Sequence, residues 1–237
     1  MFKNIKELPF VSVIIPTYND WDRLNKCLKA LSNQTYPHKK FEVIIINNNS
    51  LDYIPDKIKN YNYSIVTEST VGSYAARNTG ISLSKGDILA FTDSDCIPDT
   101  FWIERAINKF NEGCDRIAGH IDIFPTDVNP NIAELYDMTF GFDQQISAMN
   151  GLSVTANMFA RKSLFDEYGK FKSSLFSGGD TEWSRRVHSK GIGINYEPEV
   201  IVRHPARKSL KDLFNKRYRV SAKKSIIYVQ KLKKNPT

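Results

Sequence analysis

Cysteine is scarce in this chain, and the three that occur, Cys27, Cys96 and Cys114, are odd in number and widely spaced. That excludes a disulfide framework and the paired spacing of a zinc site, and it points to a reducing, cytosolic setting. Long apolar runs are also missing. The longest, Val11 to Ile15 and Val43 to Ile46, fall far short of the roughly 20 residues that span a bilayer, and Lys3, Lys6 and Glu7 precede any apolar stretch, so neither a membrane span nor a signal peptide is expected. No glycine-rich phosphate loop with a lysine occupies Pro16 to Asp20, and no internal repeat or low-complexity linker divides the chain. What is present is 237 residues with 41% hydrophobic and 12% aromatic content, enough for one large packed α/β domain.

The net charge of +7 is unevenly spread. Twelve of the 33 Lys and Arg but only one acid, Asp212, lie between Arg203 and Thr237, leaving 21 bases against 25 acids in the rest. A slightly acidic body therefore carries a strongly basic end.

Short apolar runs alternate with amphipathic segments through the first half. Val11 to Ile15, Phe41 to Ile46, Tyr63 to Thr67 and Asp87 to Phe91 read as strands. Arg23 to Asn33, Ile54 to Asn60 and Tyr74 to Ser84 read as helices, the first with Leu24, Leu28 and Leu31 on one face and Asp22 placed to cap it. This alternation implies right-handed crossovers and a mostly parallel sheet whose carboxyl edge carries the chemistry. The second half is less regular. Helices are expected over Phe101 to Asn111, near Ile132 to Ile146 and from about Thr181 to Ser189, with strands over Asp115 to Phe124, Val154 to Ala160, Ile192 to Tyr196 and Val200 to Val202.

Asp93 and Asp95 follow the apolar run Ile88 to Phe91. Two residues apart in an extended segment, their carboxylates would face one point beyond the sheet edge. A hard divalent cation takes one or two carboxylates together with phosphate oxygens and waters, so Asp93, Ser94 and Asp95 suit a metal that bridges to a diphosphate. Acidic turn residues that merely bond their own backbone are the competing explanation.

Further short pieces fall into register with this pair: Val11 to Ile15 followed by Pro16, Thr17, Tyr18 and Asn19; Glu42 to Ile46 followed by Asn47, Asn48, Asn49 and Ser50; Ala76 to Gly80; and Gly178 to Glu182. Over roughly residues 10 to 205 the chain thereby resembles the family 2 glycosyltransferases, inverting enzymes with the glycosyltransferase-A fold. The resemblance implies a single Rossmann-like α/β domain with a mostly parallel central sheet over residues 1–205 and a basic helical extension over 206–237.

It also implies roles. The loop Pro16, Thr17, Tyr18, Asn19 would receive the nucleotide base, with the ring of Tyr18 as a stacking face. The second loop usually supplies an Asp that pairs with the base, commonly uracil; Asn47 and Asn48 stand there instead and can both donate and accept. Arg77 would reach the nucleotide with its donor fork. Asp93 and Ser94 would contact the donor, and Asp95, with Asp93 and His204, would hold Mn2+ or Mg2+. Asp180 would take the acceptor proton as catalytic base, although Gly179 occupies the place where the family usually has Glu. Asp180 also has the position of a helix N-cap, where negative charge is favoured. Glu182 and Asp143 are the reserve bases, and Arg207 has a weaker claim on the diphosphate.

On a helical wheel, Leu210 to Lys234 gathers Leu210, Phe214, Tyr218, Ala222, Ile226, Val229 and Leu232 in one half, with Lys216, Arg219, Lys223, Lys224, Lys231 and Lys234 opposite. Such a helix can lie on an anionic membrane or dock its apolar stripe on the domain. The resemblance thus implies a metal-dependent inverting glycosyltransferase, and the composition and basic tail suggest a cytoplasmic place or one peripheral on the cytoplasmic face of the membrane. Its donor is expected to be a nucleotide-diphosphate sugar, first of all a UDP-sugar. The acceptor is expected to be a hydroxyl of a glycan or lipid-linked acceptor, in cell-surface polysaccharide or glycoconjugate synthesis. A nucleotidyltransferase is the second enzyme reading. A basic nucleic-acid-binding module is the rival from another class, and the acidic body and sheet-edge aspartates argue against nucleic acid as a partner.

Overall fold

The computed structural model describes residues 8–61 and 63–218. Its strands in chain order are β1 (Val11–Thr17), β2 (Phe41–Asn47), β3 (Ser64–Thr67), β4 (Ile88–Thr92), β5 (Ile97–Pro98), β6 (Arg116–Phe124), β7 (Asn157–Arg161) and β8 (Asn195–Pro205). They form one sheet in the order β3-β2-β1-β4-β7-β6-β8-β5, with β1 to β4 parallel and β7 running against both β4 and β6. The helices are α1 (Trp21–Ser32), α2 (Ser73–Leu83), α3 (Trp102–Asn111), α4 (Ile132–Phe140), α5 (Gln144–Met149), α6 (Lys162–Tyr168) and α7 (Gly179–His188).

Both sheet faces are covered. Val11, Val13 and Ile15 of β1 pack with Leu24 and Leu28 of α1 and Trp102 of α3, whereas Ile14 joins Tyr74 and Ile81 of α2 and Trp183 of α7 on the other side. Two-sided burial is why β1 reads as a continuous apolar run rather than an alternation. The close approach of α2 to β1 requires Gly80, since a Cβ there would come within 2.5 Å of Ile14 Cγ2.

Several elements differ from expectation. Ile132 to Ile146 is two helices: α4 ends at Gly141, where a Cβ would lie 2.3 Å from the Asp137 carbonyl, and Asp143 then caps α5 by accepting from Ile146 N at 2.8 Å. The two strands expected between Ile192 and Val202 are the single strand β8, whose register with β6 shifts between Gly119 and His120. Buried Asn157 bridges that shift, donating to the carbonyls of His120 and Val200 at 2.7 and 2.8 Å and accepting from Trp102 Nε1 at 2.9 Å. Asp22 does not cap α1, which starts at Trp21; it pairs with Lys57 instead. Ile54 to Asn60 holds only a 3-10 turn, Asp56–Asn60: Ile54 precedes a proline, which disfavours helical backbone there, and Pro55 is itself extended.

After β8, residues 210–218 are helical. The face that meets the domain is not the expected apolar stripe. Leu213 is buried and Lys216 donates to the Gly141 carbonyl at 2.6 Å, while Leu210, Phe214 and Tyr218 are 66%, 69% and 66% exposed. The remainder of the anticipated amphipathic helix lies outside the described residues. No helix among the described residues is long and apolar enough to cross a membrane.

Candidate active site

The carboxyl ends of β1 and β4 and the start of α7 open onto two adjoining clefts that share Ser73, Arg77 and Asp93. The smaller, about 310 Å3, adds Pro16, Thr17, Tyr18, Asn48, Ser94 and Asp95. The larger, about 520 Å3, is lined by Asp180 and Thr155 together with residues of α4, the 141–143 turn and the C-terminal helix.

In the smaller cleft Tyr18 is 59% exposed, an open aromatic platform. Asn19 takes φ 47°, which Asn tolerates, and ties the loops after β1 and β2 together: its Oδ1 accepts from Leu51 N at 2.8 Å and its N donates to Ser50 Oγ at 2.9 Å. The two asparagines of the second loop hold backbone. Asn47 Oδ1 accepts from Ser50 N at 3.0 Å, and Asn48 donates to the carbonyls of Glu68 and Thr70 while accepting from Gly72 N. Asn48 lines the cleft and Asn47 does not.

Asp93 and Asp95 diverge, because residues 94 and 95 form a turn rather than continuing the strand. Asp93 is ion-paired with buried Arg77. Among the described residues, the buried Nε of Arg77 has no hydrogen-bond partner. Asp95 turns toward His204, with Oδ2 at 3.6 Å from Nε2. Asp95 Oδ, Cys96 Sγ and His204 N form a group whose ligand atoms all lie within 4.8 Å of one another. The carboxylate and the imidazole of this group can both ligate a divalent cation. His204 Nδ1 sits 2.7 Å from the Pro205 carbonyl, which can only accept; Nδ1 therefore carries a proton, and Nε2 is the ring nitrogen turned toward Asp95. Burial, followed by the neighbouring carboxylates Asp93 and Asp20, pushes the Asp95 carboxyl up against the opposing pull of His204 and Arg23. A cation would relieve that excess of buried negative charge. Burial also raises the Cys96 thiol well above its ordinary value.

Asp180 does not cap α7, whose N-cap is Gly178; it is the second helical residue. Its carboxylate is nevertheless held firmly, with Oδ1 accepting from Thr181 N at 2.7 Å and from Tyr74 Oη at 3.0 Å and Oδ2 from Thr155 N at 3.4 Å. Burial raises the Tyr74 phenol far above its ordinary value, so the hydroxyl remains a donor. Tyr74 also explains Gly179. A Cβ at 179 would lie 2.8 Å from the buried Tyr74 ring, so a Glu there would have to displace that ring. We expect Gly179→Glu to destabilise the fold by about 1–3 kcal/mol through overpacking. Adding Tyr74→Ala should recover part of that loss. Thermal unfolding of the two single variants and the double checks it: additive losses would refute the coupling.

Of the reserve bases, Asp143 lines the larger cleft but is occupied as the α5 cap. Glu182 faces away, ion-paired with Lys172 and Arg186; burial would raise its carboxyl, but those two hydrogen bonds outweigh this and hold it below the ordinary value. Arg207 is bound to Asp137 through Nη1 at 2.9 and 3.0 Å. Several site residues were not anticipated: Tyr74, Thr155, Phe142, Asp137 and Lys216, and the network in which Asp20 accepts from Ser94 Oγ and Arg23 Nε beside Asp95. Only Tyr74 had a local signal, lying three residues before Arg77 on one helix face.

The model of "Glycosyl transferase family 2" matches residues 12–169. Glycosyltransferase AglE of Haloferax volcanii is 37% identical over 222 residues, covering 90% of this chain and 72% of that protein. A Methanococcus voltae enzyme named dolichyl N-acetyl-alpha-D-glucosaminyl phosphate 3-beta-D-2,3-diacetamido-2,3-dideoxy-beta-D-glucuronosyltransferase is 24% identical over 236 residues, covering 92% of this chain and 74% of that one. Among solved structures, mannosyltransferase PcManGT from Pyrobaculum calidifontis, in complex with GDP-Man and Mn2+, superposes with a TM-score of 0.65 at 18% identity. That match covers 83% of this chain, which spans 56% of the mannosyltransferase's length. The likeness places the curled, mostly parallel sheet in the glycosyltransferase-A fold.

Proposed function

The chain belongs to glycosyl transferase family 2, and from that premise we propose that the two clefts transfer a sugar, with inversion, from a nucleoside diphosphate sugar to a hydroxyl of a glycan or lipid-linked acceptor. One observation carries this reading. A carboxylate fixed by three donors, Asp180, shares a cleft with Arg77 and Asp93, which also border the second cleft containing Asp95.

The nucleotide lies in the smaller cleft, its base against Tyr18 and its phosphates beside Arg77, which borders both clefts. Uridine is the first donor to test. Asp95 and His204 would hold a divalent cation, Mn2+ or Mg2+, which would supply charge stabilisation for the departing diphosphate. Asp180 accepts the acceptor hydroxyl proton as that oxygen bonds to the anomeric carbon and the bond to the diphosphate breaks. Tyr74 and the amides of Thr155 and Thr181 keep the carboxylate oriented. The Mn2+ complex of the mannosyltransferase supports the metal, and the dolichyl-phosphate relative supports a lipid-linked acceptor. The nucleotidyltransferase and nucleic-acid readings have no comparable support. Nucleotide release from a panel of UDP-, GDP- and dTDP-sugars with Mn2+ or Mg2+ tests the proposal, and the absence of release from any donor would reject it.

The catalytic unit is proposed to span residues 1–205, with the basic segment 206–237 bringing it to the cytoplasmic face of an anionic membrane. The outward stripe Leu210, Phe214, Tyr218 beside Lys208 and Lys211 supports this. Sedimentation with liposomes is expected to require anionic lipid; equal sedimentation with neutral liposomes, or none with either, would refute it.

A further inference from the structure

We propose that the wall of the larger cleft formed by Arg207, Lys216 and Arg217 is a subsite for a phosphate group carried by the acceptor, separate from the place of the donor diphosphate. The inference rests on the sugar-transfer reading and names a property of its acceptor.

Charge on this wall is unbalanced. Its single carboxylate, Asp137, is buried, with a side chain 1% exposed, and serves two cations: Arg207 Nη1 at 2.9 Å and Lys216 Nζ at 3.7 Å. Arg217 has no carboxylate partner among the described residues; it donates to Tyr136 Oη at 2.5 Å. Three cations thus share one anion at the edge of an open cleft. They are close enough to oppose one another: burial first, and then the charge of Arg207, push the Lys216 ammonium down to about 8. Across the cleft Arg185, also a lining residue, makes no ion pair among the described residues. Gathering like charges around a half-buried lysine is unfavourable unless an anion completes the group. A phosphate monoester or diester, with several acceptor oxygens, matches a guanidinium fork next to an ammonium.

The position separates this anion from the donor's. The Phe142 ring meets Lys216 Nζ at 3.9 Å and packs on His204 with ring centroids 5.1 Å apart. The wall therefore stands one aromatic ring away from the Asp95–His204 pair, on the acceptor side that holds Asp180. Exposed Phe140 and Tyr136 beside it offer apolar surface to whatever carries the phosphate.

The phosphate could belong to a lipid or to a soluble phosphoester. Isothermal titration of the full chain in EDTA, with dodecyl phosphate, glycerol 3-phosphate and uncharged dodecyl maltoside as probes, distinguishes the two. At least one phosphate should bind, and Lys216→Gln/Arg217→Gln should weaken it at least tenfold. Tighter binding of dodecyl phosphate assigns a lipid source; equal binding of the two phosphates assigns a soluble one. Because Lys216 helps to neutralise buried Asp137, Arg217→Gln alone is the control for folding. It should weaken binding at least threefold with unfolding temperature unchanged. Binding of neither phosphate, equal binding of the maltoside, or binding unaffected by both variants would overturn the proposal. No donor or metal enters this titration, so its failure leaves sugar transfer standing, whereas failure of the transfer reading would appear as absent nucleotide release with phosphate binding retained.

Discussion

Asp180→Asn is expected to reduce the turnover number by about 10²–10⁴-fold, the usual contribution of a positioned general base, while donor KM changes little. The substitution keeps the shape of the side chain and an oxygen that can still accept from Thr181 N and Tyr74 Oη. What it removes is the capacity to take a proton. Tyr74 and the two amides fill their places around the carboxylate without neutralising it, so loss of the charge alone should stop transfer. Steady-state nucleotide release against donor and acceptor concentration checks this. Turnover near that of the parent chain would move the base to Asp143, the other carboxylate of the larger cleft outside an ion pair.

Asp95→Ala is expected to lower the affinity for donor in the presence of Mn2+ by at least about a hundredfold, since even partners one layer outside a metal typically contribute 10–100-fold. In EDTA the variant and the parent should bind donor equally weakly. The reason is local. Among the described residues Asp95 is the one carboxylate that faces His204 Nε2, while Asp93 is committed to Arg77. His204→Ala should act in the same direction with a smaller effect, because a hard cation depends more on the oxygen ligand. Thermal shift on addition of nucleoside diphosphate and Mn2+ reads the difference, because a ligand that binds only the folded chain raises its apparent stability. An undiminished metal-dependent shift in Asp95→Ala would remove the metal assignment.

Much of the first half was legible because its strands are buried on both faces and its helices carry one apolar side. The run Val11 to Ile15 and the positions Leu24, Leu28 and Leu31 announce β1 and α1 directly. The turn after β4 could be found for the same reason, although not its geometry: the period-two argument brings Asp93 and Asp95 together, whereas the chain stops being extended at residue 94. Pairings that depend on tertiary approach were out of reach. Tyr74 and Asp180 meet across 106 residues, and Gly179 has no meaning until the Tyr74 ring lies on it. The break at Gly141 and the fusion of two apparent strands into β8 involve contacts with Ile123 and Asn157 that no local pattern encodes. The tail left two placements of its apolar stripe open, on a membrane or on the domain. Its helical period puts Leu210, Phe214 and Tyr218 on one face correctly, but buried Asp137 draws the opposite, cationic face onto the domain.

The most direct measurement is a crystal structure of the full chain with an unreactive nucleotide-sugar analogue and Mn2+. Density for the cation against Asp95 and His204, with the sugar directed into the cleft that holds Asp180, is the expected result. A nucleotide bound away from Tyr18 and Arg77, or a sugar with Asp180 beyond reach of its anomeric carbon's open face, would contradict it.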